Sequence, residues 1–354
     1  MINLSALCEL IYKMGWMEVE EDEWSNRLYN HSMRLLDVQN LSVELVTRHG
    51  VVRAVNNVDI HIEEGEILGL VGESGSGKTI TCRAILRLLP KPAGRFAGGR
   101  ILYQGKDLLD LSESAMRSLR GSEIAIIPQD PNTSLNPVFT TGKQLAESIR
   151  QHIRIAARQL KERSVELFNL VRIPAPDKRL QNYPHEMSGG MRQRAVGAIA
   201  MSCEPRLILA DEPTTSLDAT IQTQYLDLLL SLQQRTGVAI LFVTHDFGIV
   251  GKVCDRVAVM YAGRVVEQGT TVEVFQKPAH PYTKGLLASV PSLDKKTNRL
   301  NAIPGEPPVL TVVEKGCPFA PRCDIAESRC HKEMPVRVEV SSQHTALCWK
   351  PSYE

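Results

Sequence analysis

The chain has 354 residues, and its 41 Lys and Arg against 40 Asp and Glu give a formal net charge of +1. A general nucleic-acid binder held by phosphate contacts carries a basic excess, so this balance argues against a nucleic-acid partner. Apolar residues make up 43% and charged residues 23%, which excludes a disordered chain and predicts a large buried core.

The first elements along the chain are predicted to be half-buried strands. Residues 1–33 lack a regular pattern and form an N-terminal extension of unknown role. After them, Leu41, Val43 and Leu45 alternate with polar residues, and residues 55–62 follow a similar period of two. This period is typical of antiparallel strands with one face buried.

A phosphate-binding loop follows the next strand. Ile67 to Val71 is a nearly continuous apolar run, as expected for a parallel strand buried on both faces, and a helical pattern runs from Lys78 to Leu89. Between them the sequence fits G-x-x-x-x-G-K-[ST], with Gly72, Ser74, Gly75, Ser76, Gly77, Lys78 and Thr79. Backbone N–H groups of such a loop bind phosphates, so we expect Lys78 to reach the β- and γ-phosphates and Thr79 to bind Mg²⁺.

A second phosphate-accepting surface is predicted inside a helical region. Residues 132–204 have a mostly helical pattern, which we interpret as an inserted helical subdomain. Within it, Ser188 is a natural N-cap, and Gly189 and Gly190 open a helix whose first N–H groups lack partners. These groups can face a phosphate.

Two carboxylates end the following buried strand. Residues 207–210 and 238–244 are apolar runs separated by the helical segment 219–236, and this order predicts a parallel α/β sheet. Asp211 and Glu212 stand at the tip of the first strand, where parallel sheets bind ligands. We expect Asp211 to hold Mg²⁺ through water and Glu212 to take a proton from the attacking water. Taken alone, a strand end with two solvated acids explains them equally well.

The C-terminal region has a different composition, with recurrent proline, and is predicted to form a separate domain over residues 271–354. Four cysteines here can close one metal site: Cys317, Cys323, Cys330 and Cys348. Structural zinc more often shows closely paired cysteines, so an iron–sulfur cluster, zinc and an empty site remain open. His344 is interpreted as a surface residue, and Cys8, Cys82, Cys203 and Cys254 as inert buried thiols.

The order of these motifs resembles that of ABC-type ATPases. The Ser-Gly-Gly signature lies between the phosphate loop and the carboxylate pair, and Gln129, Asp218 and His245 occur in the matching contexts. The resemblance implies an α/β P-loop NTPase core of the ABC type over residues 34–270, with an antiparallel β subdomain and the helical subdomain. It also implies that Gln129 binds Mg²⁺ and assists catalysis, that His245 is catalytic, and that Asp218 contributes to the nucleotide site.

The same resemblance implies a partner. In ABC-type ATPases two subunits pair head to tail, so Ser188 and Gly189 of one subunit are expected to face the γ-phosphate held by the other. The partner is a second copy or a related ATPase subunit.

Three further segments narrow the resemblance to ATPase subunits of oligopeptide and dipeptide importers. They are residues 129–137, the Gly-Gly-Met-Arg-Gln-Arg signature, and residues 280–283 followed by 304–308. The resemblance implies ATP hydrolysis at the cytoplasmic face of a cell membrane, two integral membrane permease subunits, and indirectly an extracytoplasmic solute-binding protein. It further implies a four-iron, four-sulfur cluster on the four cysteines, with zinc as the alternative.

The sequence departs from the general ABC pattern at two places. Met187 and Met191 replace the usual Leu and Gln of the signature, and residues 34–62 contain no aromatic residue to stack on adenine, which leaves His49, Val52 or Arg53. Two other functions stay open at this stage. One is a soluble ABC-type ATPase acting without a permease, and the other is a regulatory, metal-sensing subunit of a more active ATPase.

Overall fold

A computed structural model describes residues 34–290, 303–311 and 315–351, so the predicted extension over residues 1–33 lies outside the described residues. The described chain divides into two compact units. The first contains residues 34–63, 67–109 and the described part of 244–351, and the second contains residues 64–66 and 110–243. The cysteine-bearing segment therefore belongs to the unit that holds the phosphate loop.

The first unit begins with an antiparallel sheet of order β2-β1-β4-β5. Its strands are β1 (Arg34–Thr47), β2 (Gly50–Glu63), β4 (Gly94–Tyr103) and β5 (Lys106–Asp107). A tight turn joins β1 and β2, where Thr47 pairs with Gly50. Buried residues alternate with half-buried ones from Leu41 to Glu44 and from Val58 to Glu63, which agrees with the predicted period of two over these stretches.

The same unit contains a second set of paired strands. The buried strand β3 (Ile67–Val71) pairs in parallel with β9 (Arg256–Tyr261), and β9 pairs antiparallel with β10 (Arg264–Thr270). The short strands β11 (Arg337–Glu339) and β12 (Thr345–Leu347) extend this sheet from β10. The helices of this unit are α1 (Lys78–Ile85), α9 (Phe247–Val253), α10 (Thr271–Gln276) and α11 (Pro281–Ala288).

The second unit combines three parallel strands with helices. The strands are β6 (Ile124–Ile127), β7 (Leu207–Asp211) and β8 (Ala239–Thr244), with β7 in the middle. The helices are α2 (Glu113–Leu119), α3 (Pro131–Ser134), α4 (Thr141–His152), α5 (Ala157–Leu170), α6 (Pro176–Arg179), α7 (Gly189–Met201) and α8 (Ala219–Thr236). Because the strands are parallel, the loops that follow them emerge at one edge of the sheet.

The predicted elements are present, with shifted ends. Helix α8 covers the predicted segment 219–236, whereas α1 ends at Ile85 instead of Leu89, because Arg87 adopts a left-handed φ of 54°. Within the predicted helical region, residues 132–204, the extended residue Ile153 follows the end of α4 and separates it from α5.

The helices of the described residues were compared with the length and hydropathy of a membrane-spanning helix. Across residues 34–290, 303–311 and 315–351, no helix combines the length and the apolar character that crossing a membrane requires.

Candidate active site

The phosphate loop is enclosed by neighbouring backbone. It connects β3 to α1, and a Cβ atom on Gly72 would lie 2.1 Å from the carbonyl oxygen of Met260. A Cβ atom on Gly77, whose φ is +108°, would lie 2.2 Å from the carbonyl oxygen of Ala54. Only glycine fits at these two positions, since backbone cannot move aside as a flexible side chain can.

Lys78 occupies the interior of this loop. Its ammonium group donates hydrogen bonds to the carbonyl oxygens of Gly72 at 2.7 Å and Glu73 at 3.0 Å, and the residue is buried. The loop therefore curls around the ammonium group.

Two further features of the loop fit a phosphate ligand. Among the described residues, the buried Ser76 hydroxyl has no hydrogen-bond partner, and no side chain caps the first turn of α1. The uncapped N–H groups carry the partial positive charge of a helix N-terminus. Thr79, the predicted Mg²⁺ ligand, lies half-buried in that first turn.

The second unit brings Gln129 and Glu212 together. Gln129 follows β6 and Glu212 follows β7, and the Gln129 amide nitrogen donates to the Glu212 carboxylate at 3.0 Å. The Thr215 hydroxyl donates to the same carboxylate oxygen, also at 3.0 Å. Asp211, beside Glu212, is buried at the end of β7.

Glu212 is held in an uncommon backbone conformation. Its φ is 46°, in the left-handed region, and its N–H donates to the carbonyl oxygen of Val243 on β8 at 3.0 Å. Non-glycine residues in this region store strain, and such residues concentrate at functional sites. The side chain is thus directed by its own backbone and by two hydrogen-bond donors.

The signature opens helix α7 and is accessible. The Ser188 hydroxyl accepts a hydrogen bond from the Met191 N–H at 3.3 Å, so Ser188 is the N-cap that its residue type predicts, and it is exposed. A Cβ atom on Gly189 would meet nothing within 4 Å, whereas one on Gly190 would lie 2.7 Å from Ile221 Cγ2. Gly189 therefore leaves open space at the start of this helix.

The remaining predicted nucleotide-site residues lie at the starts of helices or the ends of strands. Asp218 is the N-cap of α8 and accepts a hydrogen bond from the Ile221 N–H at 3.0 Å. His245 comes directly after β8 and is exposed, and it belongs to the first unit. Of the three residues predicted to cover adenine, Arg53 contacts Glu44, with 3.3 Å between Nε and Oε1.

The four C-terminal cysteines line one pocket. This four-thiol pocket, in the first unit, is lined by Cys317, Cys323, Cys330 and Cys348, with His280 and Trp349 in the same wall. Burial raises the pKa of Cys317 to about 11 and also raises the pKa values of Cys323 and Cys348. Burial thus disfavours the thiolate form of these three side chains.

The predicted metal site is not assembled in this pocket. No group of three or more His, Cys, Asp or Glu within the described ranges is arranged to hold a metal ion. The four sulfur groups have the donor chemistry of a cluster site without its arrangement.

His344 is buried, which corrects its interpretation as a surface residue. Its Nε2 lies 2.7 Å from a carboxylate oxygen of Glu267, and the two side chains are 2% and 0% exposed. The carboxylate of Glu267 also accepts hydrogen bonds from the N–H groups of Ala279 and His280 at 2.7 and 2.8 Å. A buried partner explains the burial of this histidine. Cys82 and Cys254 are buried as predicted, and Cys203 is half-buried.

Sequence reasoning missed the contacts that connect the phosphate loop to the C-terminal segment. The Glu73 carboxylate pairs with Arg322, and the Glu73 N–H donates to the Tyr282 hydroxyl at 2.9 Å. Tyr282 lies in the segment 280–283 that was singled out as a family motif, but no local pattern indicates what it contacts. The Thr215 hydroxyl beside Glu212 was missed for the same reason.

Comparison with known proteins agrees with this geometry. The family model for ABC transporters matches residues 55–215, and the model for the C-terminal region of oligopeptide/dipeptide transporters matches residues 266–330. CbiO1 from Clostridium perfringens, part of an ABC transporter complex, has a TM-score of 0.60 and 27% identity, covering 69% of this chain and 92% of CbiO1. The dimeric cassette MJ0796 bound to ADP and Pi has the same fold, with a TM-score of 0.60, 24% identity and coverage of 67% and 98%. This chain is therefore an ABC-type ATPase, the ATP-hydrolysing subunit of a transporter.

Related sequences show which family of ABC transporter ATPases the chain belongs to. A probable peptide ABC transporter ATP-binding protein of Sinorhizobium fredii is 49% identical over 89% of this chain and 95% of the relative. The oligopeptide transport ATP-binding protein OppD of Bacillus subtilis is 50% identical over 89% and 88%, and the dipeptide protein DppD of the same organism is 46% identical over 89% and 94%. The chain belongs to the peptide-type family of ABC transporter ATP-binding proteins.

Proposed function

We propose that this chain hydrolyses ATP to energise the uptake of dipeptides, oligopeptides or a related small solute. The observation that carries the proposal is the extent of the similarity. Identity near one half covers 89% of the chain in relatives named for oligopeptide and dipeptide transport. The match over residues 266–330 adds the C-terminal region of such transporters, which a soluble ABC ATPase without a permease has no reason to carry.

The site residues suit this reaction. The phosphate loop and Lys78 would bind the β- and γ-phosphates, and Glu212 would accept the proton of the attacking water. The Gln129 amide and the Thr215 hydroxyl, each 3.0 Å from the Glu212 carboxylate, orient it. We assign His245 to the γ-phosphate as a further catalytic group.

The implied Mg²⁺ fits the oxygen donors available. Asp211, Thr79 and the amide oxygen of Gln129 are the types of ligand that Mg²⁺ prefers, and Asp211 is a buried carboxylate. When bound, Mg²⁺ would neutralise charge on the phosphates. We assign these three residues to hold it.

A second ATPase subunit, identical or related, is proposed to complete the nucleotide site. Support comes from the exposed Ser188 and from the open space beside Gly189 at the start of α7. A helix start of this kind attracts anions, and Asp218 at the start of α8 would contribute beside it. The γ-phosphate bound by the partner is the anion we assign to this surface.

The remaining proposed partners are membrane proteins. Two integral permease subunits would anchor the ATPase pair at the cytoplasmic face of the cell membrane, and an extracytoplasmic solute-binding protein would deliver the solute. Copurification tests this arrangement: the tagged full chain, expressed with the genes adjacent to it, should retain two integral membrane subunits in detergent. Reconstituted vesicles should then accumulate labelled peptide only with ATP, and Lys78→Ala should abolish accumulation. Stable purification without membrane subunits, or ATP-independent accumulation, contradicts the proposal.

We also propose that the four-thiol pocket receives a four-iron, four-sulfur cluster, with zinc as the alternative. Four cysteines on one pocket support this, because four thiolates ligate such a cluster. Anaerobic purification should give broad visible absorbance and iron with acid-labile sulfide, both lost in Cys323→Ser and retained in the control Cys203→Ser. Stoichiometric zinc without visible absorbance would select the alternative.

A further inference from the structure

Glu73, inside the phosphate loop, forms an ion pair with an arginine from the C-terminal segment. The two terminal nitrogens of Arg322 contact the two carboxylate oxygens of Glu73, at 2.8 Å and 3.0 Å. The Arg322 side chain is 4% exposed and that of Glu73 is 28% exposed. Bidentate pairs of this kind are among the stronger side-chain contacts and fix the orientation of both groups.

The guanidinium of Arg322 is itself fixed by its surroundings. Its Nε donates to the carbonyl oxygen of Pro304 at 2.9 Å, and Nη1 donates to the Tyr261 hydroxyl at 3.3 Å. Arg322 ends a short 3₁₀ helix, Ala320–Arg322, and directly precedes Cys323 of the four-thiol pocket. Its backbone is thus part of the segment that forms the pocket wall.

A second contact reaches the same loop residue independently. The Glu73 N–H donates to the hydroxyl of Tyr282 at 2.9 Å, and Tyr282 is fully buried. Its ring packs against Tyr261 and Phe319, with centroids 4.5 and 5.4 Å away, and Phe319 lines the four-thiol pocket. The side chain and the main chain of Glu73 therefore both end on residues beside that pocket.

The conformation of Glu73 bears directly on Lys78. The Glu73 carbonyl oxygen accepts hydrogen bonds from the Lys78 ammonium at 3.0 Å and from the Ser76 N–H at 3.2 Å. A rotation of the Glu73 peptide would therefore break both hydrogen bonds and displace the Lys78 ammonium, which we assign to the phosphates.

We propose that Arg322 and Tyr282 are positioning residues for ATP, which hold the phosphate loop in its binding shape through Glu73. The C-terminal segment that carries Arg322 and lines the four-thiol pocket would then influence ATP affinity without contacting the nucleotide. This inference rests on the proposed function, because it takes ATP as the ligand of the loop.

The test compares ATP binding and turnover in variants of the full chain. Arg322→Ala should weaken ATP binding and raise KM by about tenfold, while kcat at saturating ATP changes by less than about twofold. Arg322→Lys keeps the positive charge but loses the pair of terminal nitrogens that contact both carboxylate oxygens of Glu73. Its ATP affinity should therefore lie between those of Arg322→Ala and the unchanged chain. Tyr282→Phe, which keeps the packed ring and loses the hydroxyl, should show the same selective rise in KM.

A double-mutant cycle and a matched control make the result specific. Glu73→Gln combined with Arg322→Ala should be no worse than the more severe single change, since both remove one contact. The control is Arg329→Ala in the same segment, because Arg329 stacks on Trp349 and pairs with Glu333 at 3.0 Å, away from the loop. It should leave KM unchanged.

Three outcomes would overturn the inference. They are an Arg322→Ala effect no larger than that of Arg329→Ala, a loss confined to kcat, and effects of Glu73→Gln and Arg322→Ala that multiply. Lys78→Ala separates this from failure of the proposed function: if it also binds ATP normally, the loop is not the nucleotide site at all. If Lys78→Ala loses binding while Arg322→Ala keeps it, only the positioning role fails.

Discussion

The phosphate loop and the signature each lead into the N-terminus of a helix, yet their surroundings are opposite. Around the loop, backbone carbonyls lie 2.1 and 2.2 Å from the Cβ positions of Gly72 and Gly77. At the signature, Ser188 is exposed and Gly189 faces open space. Backbone of the same unit therefore encloses the loop, whereas open space lies beside the start of the signature helix. This difference fits the two roles proposed for them, in which the loop binds the phosphates of its own nucleotide and the signature faces a phosphate bound by the partner.

The enclosed character of the loop predicts the largest effect. Gly72→Ala should abolish ATP binding and lower the melting temperature, because the new methyl group collides with the Met260 backbone and the pairing of β3 with β9 must shift. Binding is measured by calorimetric titration and melting by circular dichroism.

Gly75→Ala is the matched control within the same loop. Gly75 has a φ of +78° but open space around its Cβ position, so only backbone strain of about 1–2 kcal/mol is expected. Equal losses in the two variants would show that enclosure by the Met260 backbone is not what requires glycine at position 72.

The carboxylate cluster of the second unit predicts the next largest effect. Glu212→Gln should keep ATP binding and lower turnover by roughly 10²-fold or more, as expected for loss of a general base. Single-turnover hydrolysis in the assembled transporter measures this.

Thr215→Val is the companion variant for Glu212. It removes the Thr215 hydroxyl that donates to the carboxylate and leaves the Gln129 contact, so turnover should fall by less than in Glu212→Gln. Near-normal hydrolysis by Glu212→Gln would remove Glu212 from the role of base.

The open space at the signature predicts that a substitution there lowers ATP hydrolysis without lowering stability. Gly189→Ala should change the free energy of unfolding by less than about 0.5 kcal/mol, since nothing lies within 4 Å of the new methyl group. Hydrolysis by the assembled transporter should nevertheless fall, because the methyl group stands where the partner's phosphate is proposed to approach. Urea unfolding and steady-state turnover are the two measurements.

Gly190→Ala gives the contrasting result. Its methyl group would lie 2.7 Å from Ile221 Cγ2, so the start of α7 must shift against α8 and stability should fall. If Gly189→Ala hydrolyses ATP normally, the signature does not approach a phosphate and the subunit pairing must be reconsidered.

Local patterns were sufficient to predict the parts of the site that lie within one segment. The phosphate loop, the N-cap at Ser188 and the strand that ends at Asp211 depend on glycine, capping and apolar periodicity over a few residues. The pairing of Gln129 with Glu212 was not predicted, because it depends on β6 and β7 lying side by side in the sheet, which no local pattern indicates.

Contacts between distant segments could not be predicted in this way. Glu73 and Arg322 are 249 positions apart, and a surface glutamate and a surface arginine have the same local patterns as this pair. His344 was misread because its partner Glu267 lies 77 positions earlier on β10. The four cysteines line one pocket, but among the described residues they form no group arranged to hold a metal ion, so the cluster stays a prediction.

The smallest predicted effect is a loss of stability of the first unit in acid, caused by His61. Burial, with repulsion from Arg256 and Arg34, lowers the pKa of His61 from 6.5 to about 4. The folded chain therefore keeps this imidazole neutral, while the unfolded chain protonates it below pH 6.5. Since the unfolded state then binds more protons, stability should decrease as the pH falls from about 6.5 to about 4.

Substitution separates this contribution from that of other groups. His61→Gln should flatten the fall in the free energy of unfolding between these two pH values, whereas His49→Gln, at an exposed position of the β1–β2 turn, should leave it unchanged. Partial exposure of His61 reduces the effect through solvent screening. Urea unfolding followed by a probe in each unit would show the change at the phosphate loop and not at the signature helix. An equal response at both probes would mean that the two units unfold together. The enclosed phosphate loop and the open signature helix would then not differ in stability.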